Sequence, residues 1–255
     1  MFSSRFAAIA HRGGAGHPDL VGKENTLTAF RKAVSMGYRY IETDVHATRD
    51  GQVVVFHDDE LARVSDGRGA ISDYSLTEVN RLRVGGTEAI PTLDEVLETF
   101  PDTCFNIDIK HPHAITPLAQ TIERHRAQNR VCVASFSIDR LRAFRRLMGR
   151  RVATSVSPMG VVWNAYVPVL PHLLNSPGVA IQIPATHEVL GRHIPVLTTK
   201  LLRHAHMAGK VVHIWTVDDP LEMHRLLDMG VDGIVSDRTD LLKQVFTERG
   251  IWEDR

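Results

Sequence analysis

Polar and charged residues gather in this chain at the ends of short apolar runs. Ile9-Ala-His11-Arg12 is followed by Glu42-Thr-Asp44, His57-Asp58, Asp108-Ile-Lys110, Trp215-Thr-Val-Asp218 and Ser236-Asp237. In an extended segment alternate side chains share a face. Glu42 and Asp44 therefore point one way, with Ile41, Thr43 and Val45 on the other face. Asn106, Asp108 and Lys110 likewise oppose Phe105, Ile107 and Ile109. Three carboxylates brought together resist ionisation, and a divalent cation relieves their repulsion. All-oxygen donors suit Mg²⁺ or Ca²⁺ rather than Zn²⁺. Glu42, Asp44 and Asp108 are accordingly expected to be metal ligands. The competing reading is a structural ion-pair network in which Arg12 and Lys110 neutralise Glu42 and Asp44. That arrangement sends many charges inward at high cost unless an ion or an anionic substrate compensates them.

The chain contains 14 histidines, and most histidines in proteins are structural. His11 and His57 differ because each closes an apolar run beside the acidic residues. Two imidazoles serve as acid and base near neutral pH. Arg12 offers a planar fork for a phosphate and Lys110 a point charge. A cation, an Arg, a Lys and two His describe a site that transfers or cleaves a phosphate ester. Trp215 is read as a pocket wall, with plain core packing almost as good an account. His111, His113, His172, His204 and His224 lie in loops or on helix faces and receive no chemical role. Gly13-Gly14 is explained as well by a tight turn as by a phosphate-binding loop.

These residues need a frame. Extended segments are expected at Phe6 to Ala10, Tyr38 to Val45, Val53 to His57, Cys104 to Ile109, Val131 to Ser135, Val152 to Val156, Val179 to Ile183, Val211 to Val217 and Gly233 to Ser236. Helical patterns alternate with them. Leu27, Phe30, Ala33 and Val34 form one apolar face that Gly37 ends. Ser75 to Glu78 and Thr92 to Glu95 have the spacing of capping boxes. Ser137 or Asp139 opens a helix, and Asp219-Pro220 opens another that Gly230 ends. Strands alternating with helices indicate a parallel sheet, and about eight such units in this length fit a closed (β/α)₈ barrel. No Gly-x-Gly-x-x-Gly follows the first strand. One domain over 1–255 is expected, with a small insertion after the second strand at approximately 58–92. Pro158 to Pro177 matches no clear element.

Composition narrows the function classes. Lys plus Arg and Asp plus Glu are 30 each, so no bulk field draws the chain to nucleic acid or anionic membranes. An anion site must be local, and the expected partner is a small phosphodiester. No run reaches the roughly 20 apolar residues of a membrane span. The N-terminal stretch lacks the marks of a signal peptide, so a cytoplasmic location is expected. Cys104 and Cys132 lie in apolar runs and are read as buried thiols.

Taken in order, the motifs resemble those of the glycerophosphodiester phosphodiesterases. They are His11-Arg-Gly-Gly, Lys23-Glu-Asn-Thr26, Glu42-Thr-Asp44, Val55-Phe-His-Asp58, Ile90-Pro-Thr-Leu93, Asn106-Ile-Asp-Ile-Lys110, Ser135-Phe136, Trp215-Thr-Val-Asp218 and Gly230 to Asp237. They span Ile9 to about Leu242. The resemblance implies an α/β barrel that hydrolyses glycerophosphodiesters to glycerol phosphate and an alcohol with one bound divalent cation. It implies His11 and His57 as the acid–base pair, Glu42, Asp44 and Asp108 as metal ligands, and Arg12 and Lys110 as phosphate contacts. Glu24 would close the outer shell of the site or cap a helix. Asp108 stands where the family usually has Glu, a methylene longer, so the metal would shift or a water would bridge. Asp218 stands where Asn is common and would add negative charge near the rim. Rival readings are a related phosphodiesterase acting on lysophospholipids through a cyclic phosphate, a metal-dependent barrel lyase or isomerase, and a non-catalytic binding barrel.

Overall fold

The structure is a computed structural model describing residues 6–156, 176–189 and 192–253. Among these residues eight parallel strands form a nearly closed ring. They are β1 (Ala7–His11), β2 (Tyr40–Ala47), β6 (Cys104–Ile109), β7 (Val131–Ala134), β8 (Ala153–Thr154), β9 (Ala180–Ile183), β12 (Val211–Ile214) and β13 (Gly233–Ser236). Their order around the ring is β8-β7-β6-β2-β1-β13-β12-β9. One parallel bridge, Ser155 to Ala180, links the two ends, with Val156 N–H donating to Ala180 O at 2.7 Å. Helices follow the strands: α1 (Leu27–Ser35), α3 (Leu93–Thr99), α4 (Ile115–Arg124), α5 (Ile138–Met148), α6 (Thr199–Met207), α7 (Pro220–Met229) and α8 (Thr239–Glu248).

Strand parity sorts side chains between two apolar environments. Ala8, Ala10, Ile41, Val45, Phe105, Ile107 and Ile109 join the large core beneath the helices, with Phe30, Leu118 and Ile122. Ala7, Ile9, Tyr40 and Val235 form a separate cluster inside the ring. Each fully buried aliphatic or aromatic side chain contributes roughly 1.5–3 kcal/mol, so a one-residue slip of register is strongly penalised. The same alternation that buries Ile41 and Val45 outward must send Glu42 and Asp44 inward.

The helix ends follow local chemistry. Thr26, Thr92, Ser137 and Asp219 cap their helices with side-chain oxygens. Thr92 and Glu95 make a reciprocal capping box. Gly230 ends α7 at φ 89°, a left-handed conformation that glycine adopts without Cβ strain.

Between β2 and α3 the chain leaves the ring. Strand β3 (Val53–Val55) returns antiparallel to β2, pairing Val45 with Val55. The turn that reverses it has Gly51 at φ 80° and a hydrogen bond from Thr48 N–H to Gln52 O. The extended run expected to end in His57 is therefore an antiparallel return strand beside β2. The rest of this segment holds a short helix α2 (Leu76–Val79) and a hairpin, β4 (Arg83–Val84) with β5 (Glu88–Ala89). Its small core comprises Val54, Phe56, Leu61, Ile71, Val79, Val84 and Ile90. A second antiparallel pair, β10 (Thr186–Val189) with β11 (Arg192–Pro195), follows β9 and was not foreseen. Of Pro158 to Pro177 only 176 and 177 lie among the described residues, and His172 lies outside them. Cys132 is buried as expected, whereas Cys104 is only half-buried.

Candidate active site

All eight residues singled out from the sequence line one cavity of about 170 Å³ at the strand ends: His11, Arg12, Glu42, Asp44, His57, Asp108, Lys110 and Trp215. Register explains the convergence. His11 pairs with Glu42 across β1 and β2, and Asp44 pairs with Asp108 across β2 and β6. Glu42 thus sits beside His11, and Asp44 beside Asp108, on adjacent strands.

The two aspartates close on a cation supplied by the chain itself. Lys110 Nζ lies 2.9 Å from Asp44 Oδ1 and 2.7 Å from Asp108 Oδ2. Arg12 Nε stands 3.5 Å from Asp44 Oδ2, and Arg12 Nη1 donates to Glu24 Oε1 at 3.0 Å. Glu42 Oε2 instead accepts from Arg12 N–H at 3.2 Å and lies 3.7 Å from His11 Nε2. Burial, together with Asp44, raises the Glu42 carboxyl far above the ordinary carboxylate range. Burial also raises Asp108, against the pull of Lys110. For Asp44 burial is outweighed by Lys110 and Arg12, and its pKa is lowered. Burial of Lys110 is outweighed in turn by Asp44 and Asp108, which raise it.

The three expected ligand residues are held apart by these contacts. Among the described residues no three His, Cys, Asp or Glu side chains are grouped closely enough to hold a metal ion. The physical reason is that the Lys110 ammonium draws Asp44 and Asp108 onto itself, while Glu42 turns to the Arg12 amide. Of the alternative network, in which Arg12 and Lys110 neutralise Glu42 and Asp44, the Asp44 pairs are present, and Lys110 takes Asp108 as well. The donor set nevertheless fits a hard divalent cation. Asp108 Oδ1 is buried without a hydrogen-bond partner, and burial beside Asp44 keeps Glu42 from ionising readily, which a cation would relieve.

Each imidazole is backed by a carboxylate. His11 Nδ1 lies 2.7 Å from Asp237 Oδ1, and His57 Nδ1 lies 2.5 Å from Asp58 Oδ1. Such a bond at Nδ1 fixes the ring orientation and the tautomer. Burial of His11 would lower its pKa, but the Asp237 bond and the negative charges of Glu42 and Asp237 raise it overall. His46, on the inward face of β2, has Nε2 3.3 Å from the His57 carbonyl and holds the return strand in place.

The Lys23-Glu-Asn-Thr26 motif divides its work. Thr26 caps α1. Glu24 pairs with Arg12 and Arg63, so its place is the outer shell and not the helix cap. Asn25, which carried no signal of its own in the sequence, ties Arg12, Asp44 and Thr43 together. Its N–H donates to Arg12 O at 2.9 Å, its Nδ2 donates to Asp44 Oδ2 at 2.9 Å, and its Oδ1 accepts from Thr43 Oγ1 at 2.7 Å. Arg12 and Asn25 both adopt positive φ, 49° and 57°, a strain that clusters at functional sites. Gly13 and Gly14 answer a packing need. A Cβ on Gly13 would meet Ala29 Cβ at 2.8 Å, and one on Gly14 would meet Thr239 Oγ1 at 2.7 Å.

Asp58, Asp237, Asn25 and Arg63 were not among the expected site residues. Adjacency to His57 was a signal for Asp58. Asp237 is 226 residues from His11, and only ring closure through the β1–β13 pairing brings them together. Asp218, expected to charge the rim, instead accepts through Oδ1 from Ser236 Oγ, Asp237 N–H and Arg238 N–H at 2.8, 2.8 and 3.2 Å. Trp215 meets Phe136 edge to face at 5.6 Å and also packs against the inner apolar cluster, so it is wall and core at once. Of the remaining histidines, His111 and His113 contact each other at 4.7 Å and His224 pairs with Glu248. None of these lines the cavity.

The chain matches the family described as the Glycerophosphoryl diester phosphodiesterase family over residues 11–241. It is 42% identical over 255 residues to a protein of Mycobacterium tuberculosis named Probable glycerophosphodiester phosphodiesterase 2, covering 96% of this chain and 92% of that one. It is 30% identical to a Glycerophosphodiester phosphodiesterase of Caldanaerobacter subterraneus subsp. tengcongensis, covering 95% and 98%. Among solved structures, an Oleispira antarctica phosphodiesterase in complex with the product sn-glycerol-3-phosphate superposes with a TM-score of 0.78 at 25% identity, covering 94% and 96%. No helix among the described residues is long and apolar enough to cross a membrane.

Proposed function

Because the chain belongs to the glycerophosphoryl diester phosphodiesterase family, we propose that it hydrolyses glycerophosphodiesters to glycerol phosphate and an alcohol, using His11 and His57 as a proton-transfer pair. The observation that carries this reading is the pairing of two carboxylate-backed imidazoles with Arg12 and Lys110 around one cavity. One imidazole takes a proton from the nucleophile, which is water, or a hydroxyl of the glycerol whose attack first gives a cyclic phosphate that water then opens to glycerol phosphate. A P–O bond forms to that oxygen as the P–O bond to the departing alcohol breaks. The other imidazole gives its proton to the departing oxygen. Asp237 and Asp58 hold the two rings in the required tautomers. Arg12, anchored by Glu24, faces the phosphate with a pre-oriented guanidinium.

Glu42, Asp44 and Asp108 are the residues that would hold a divalent cation, Mg²⁺ or Ca²⁺. When bound there it would neutralise charge on the phosphate oxygens as the diester is cleaved. Lys110 would then shift its ammonium from the aspartates towards the phosphate. The Oδ1 of the shorter Asp108, buried without a hydrogen-bond partner, would be available to the cation.

The test is an assay of released glycerol phosphate from a panel of glycerophosphodiesters, with and without EDTA. A relative from Rattus norvegicus, 27% identical, is named Lysophospholipase D GDPD1, so lysophosphatidylcholine belongs in the panel. Hydrolysis that EDTA abolishes and His57→Ala lowers by about 10²–10⁴-fold is the expected result. Near-normal turnover by His57→Ala refutes the role of the pair.

A further inference from the structure

Arg63 ends a short 3₁₀ turn (Leu61–Arg63) in the segment between β2 and α3. That turn is rigidly seated. Leu61 is fully buried in the segment's own core, its N–H donates to Gly69 O at 2.9 Å, and its carbonyl accepts from Ser65 N–H at 3.1 Å. From this base the guanidinium reaches two carboxylates at once. Nη1 donates to Glu24 Oε2 at 2.9 Å and Nη2 to Glu24 Oε1 at 2.6 Å. Nη2 also donates to Asp58 Oδ1 at 3.1 Å, and Nε donates to Asp58 Oδ2.

Both carboxylates have a second duty. Glu24 Oε1 also accepts from Arg12 Nη1, and Asp58 Oδ1 also binds His57 Nδ1. Two cations and two anions therefore form a continuous chain of hydrogen bonds from Arg12 through Glu24, Arg63 and Asp58 to His57. We propose that Arg63 is a positioning residue that orients Arg12 and His57 together, which makes the segment outside the ring part of the reactive scaffold and not only a cover. The proposal rests on the phosphodiesterase reading for its effect on rate, but the orientation of His57 can be read without any substrate.

The electrostatics agree with the geometry. Burial of Glu24 would raise its pKa, yet Arg63 and Arg12 lower it. The same balance, with Arg63 and His57 prevailing over burial, lowers Asp58. Lysine cannot replace this fork, because a single ammonium cannot bind both edges of two carboxylates. The Arg63 side chain is 48% exposed, and ion pairs that open to solvent contribute little to global stability. Losing it should therefore disturb the site far more than the fold.

The test compares wild type, Arg63→Ala and Arg63→Lys by steady-state kinetics on glycerophosphocholine, by thermal melting, and by ¹H–¹⁵N spectra of the histidine rings. Both variants are expected to melt within about 3 °C of wild type. Arg63→Ala should lose about 10–100-fold in kcat/KM, with kcat falling as well as KM rising, and the single-tautomer signal of His57 should become mixed. Arg63→Lys should recover only part of the loss. Adding Glu24→Gln to Arg63→Ala should cost less than about threefold more, since both act through one chain. Unchanged His57 ring signals with kcat/KM within about twofold of wild type would overturn the proposal, as would independent, multiplicative losses in the double variant. If wild type cleaves no glycerophosphodiester, the functional reading fails by itself. The His57 ring signals of the two variants then decide the role of Arg63 alone.

Discussion

Replacing Lys110 by Met asks what the buried ammonium contributes. It lies 2.9 Å from Asp44 and 2.7 Å from Asp108, whose side chains are 2% and 8% exposed. Without it, two routes are open. The aspartates stay charged, and removing one partner from a buried pair costs about 3–5 kcal/mol. Alternatively one of them binds a proton. At pH 7, and from an ordinary value of 3.8, that uptake costs about 4.4 kcal/mol at 1.36 kcal/mol per pH unit. The routes agree, so Lys110→Met should destabilise by about 4 kcal/mol at pH 7, or about 8–16 °C in melting temperature for a chain of this size. The sign of the pH dependence follows. The variant's folded state holds a proton that the unfolded chain releases above its ordinary carboxylate value, so its deficit grows as pH rises. Between pH 7 and pH 5 the deficit should shrink by about 2.7 kcal/mol. Urea unfolding of both proteins in EDTA, at the two pH values, measures this directly. Added Ca²⁺ or Mg²⁺ should then stabilise the variant more than wild type, because no ammonium competes for Asp44 and Asp108. At a hundredfold excess over Kd a bound ion is worth about 2.7 kcal/mol. A deficit below about 1 kcal/mol at pH 7, or one that does not shrink at pH 5, refutes the reasoning.

Asp237→Asn removes the carboxylate that raises His11, so the limb of the pH–rate profile that reports His11 should move to lower pH while kcat/KM falls about tenfold or more. An unmoved profile would remove Asp237 from the mechanism. Cys132 is fully buried and its thiol is pushed up to about 12 by that burial. A thiol reagent at pH 8 should label it only after unfolding, and Cys104→Ala protein should show no labelled thiol in the native state. Gly14→Ala forces a Cβ to within 2.7 Å of Thr239 Oγ1 at φ 99°, and should cost about 1–3 kcal/mol by chemical denaturation. A midpoint equal to wild type would mean that the loop and α8 do not pack as closely as described.

The barrel and its polar inner face were readable because their signals are local. Alternation within Tyr40 to Ala47 and Cys104 to Ile109 assigned inward and outward faces without any knowledge of neighbours, and the two apolar clusters follow that assignment. Capping residues such as Thr92 and Asp219, and the terminating Gly230, marked helix ends through backbone hydrogen bonds that span only a few residues. The direction of β3 was not readable in the same way, since an extended run looks alike whether it joins the ring or doubles back.

What the sequence determined by itself was which polar side chains would gather at the strand ends and on which face of which strand they would lie, because side-chain parity is a property of the extended backbone. Tertiary structure decided who partners whom. Asp237 reaches His11 only because the last strand pairs with the first, and Arg63 reaches Glu24 and Asp58 only because a separate small core holds its turn against the ring. It also decided that Lys110 would take up Asp44 and Asp108. Coulomb attraction in a buried pocket depends on distances of a few ångströms, and strand register, with no counterpart in a single segment, sets those distances.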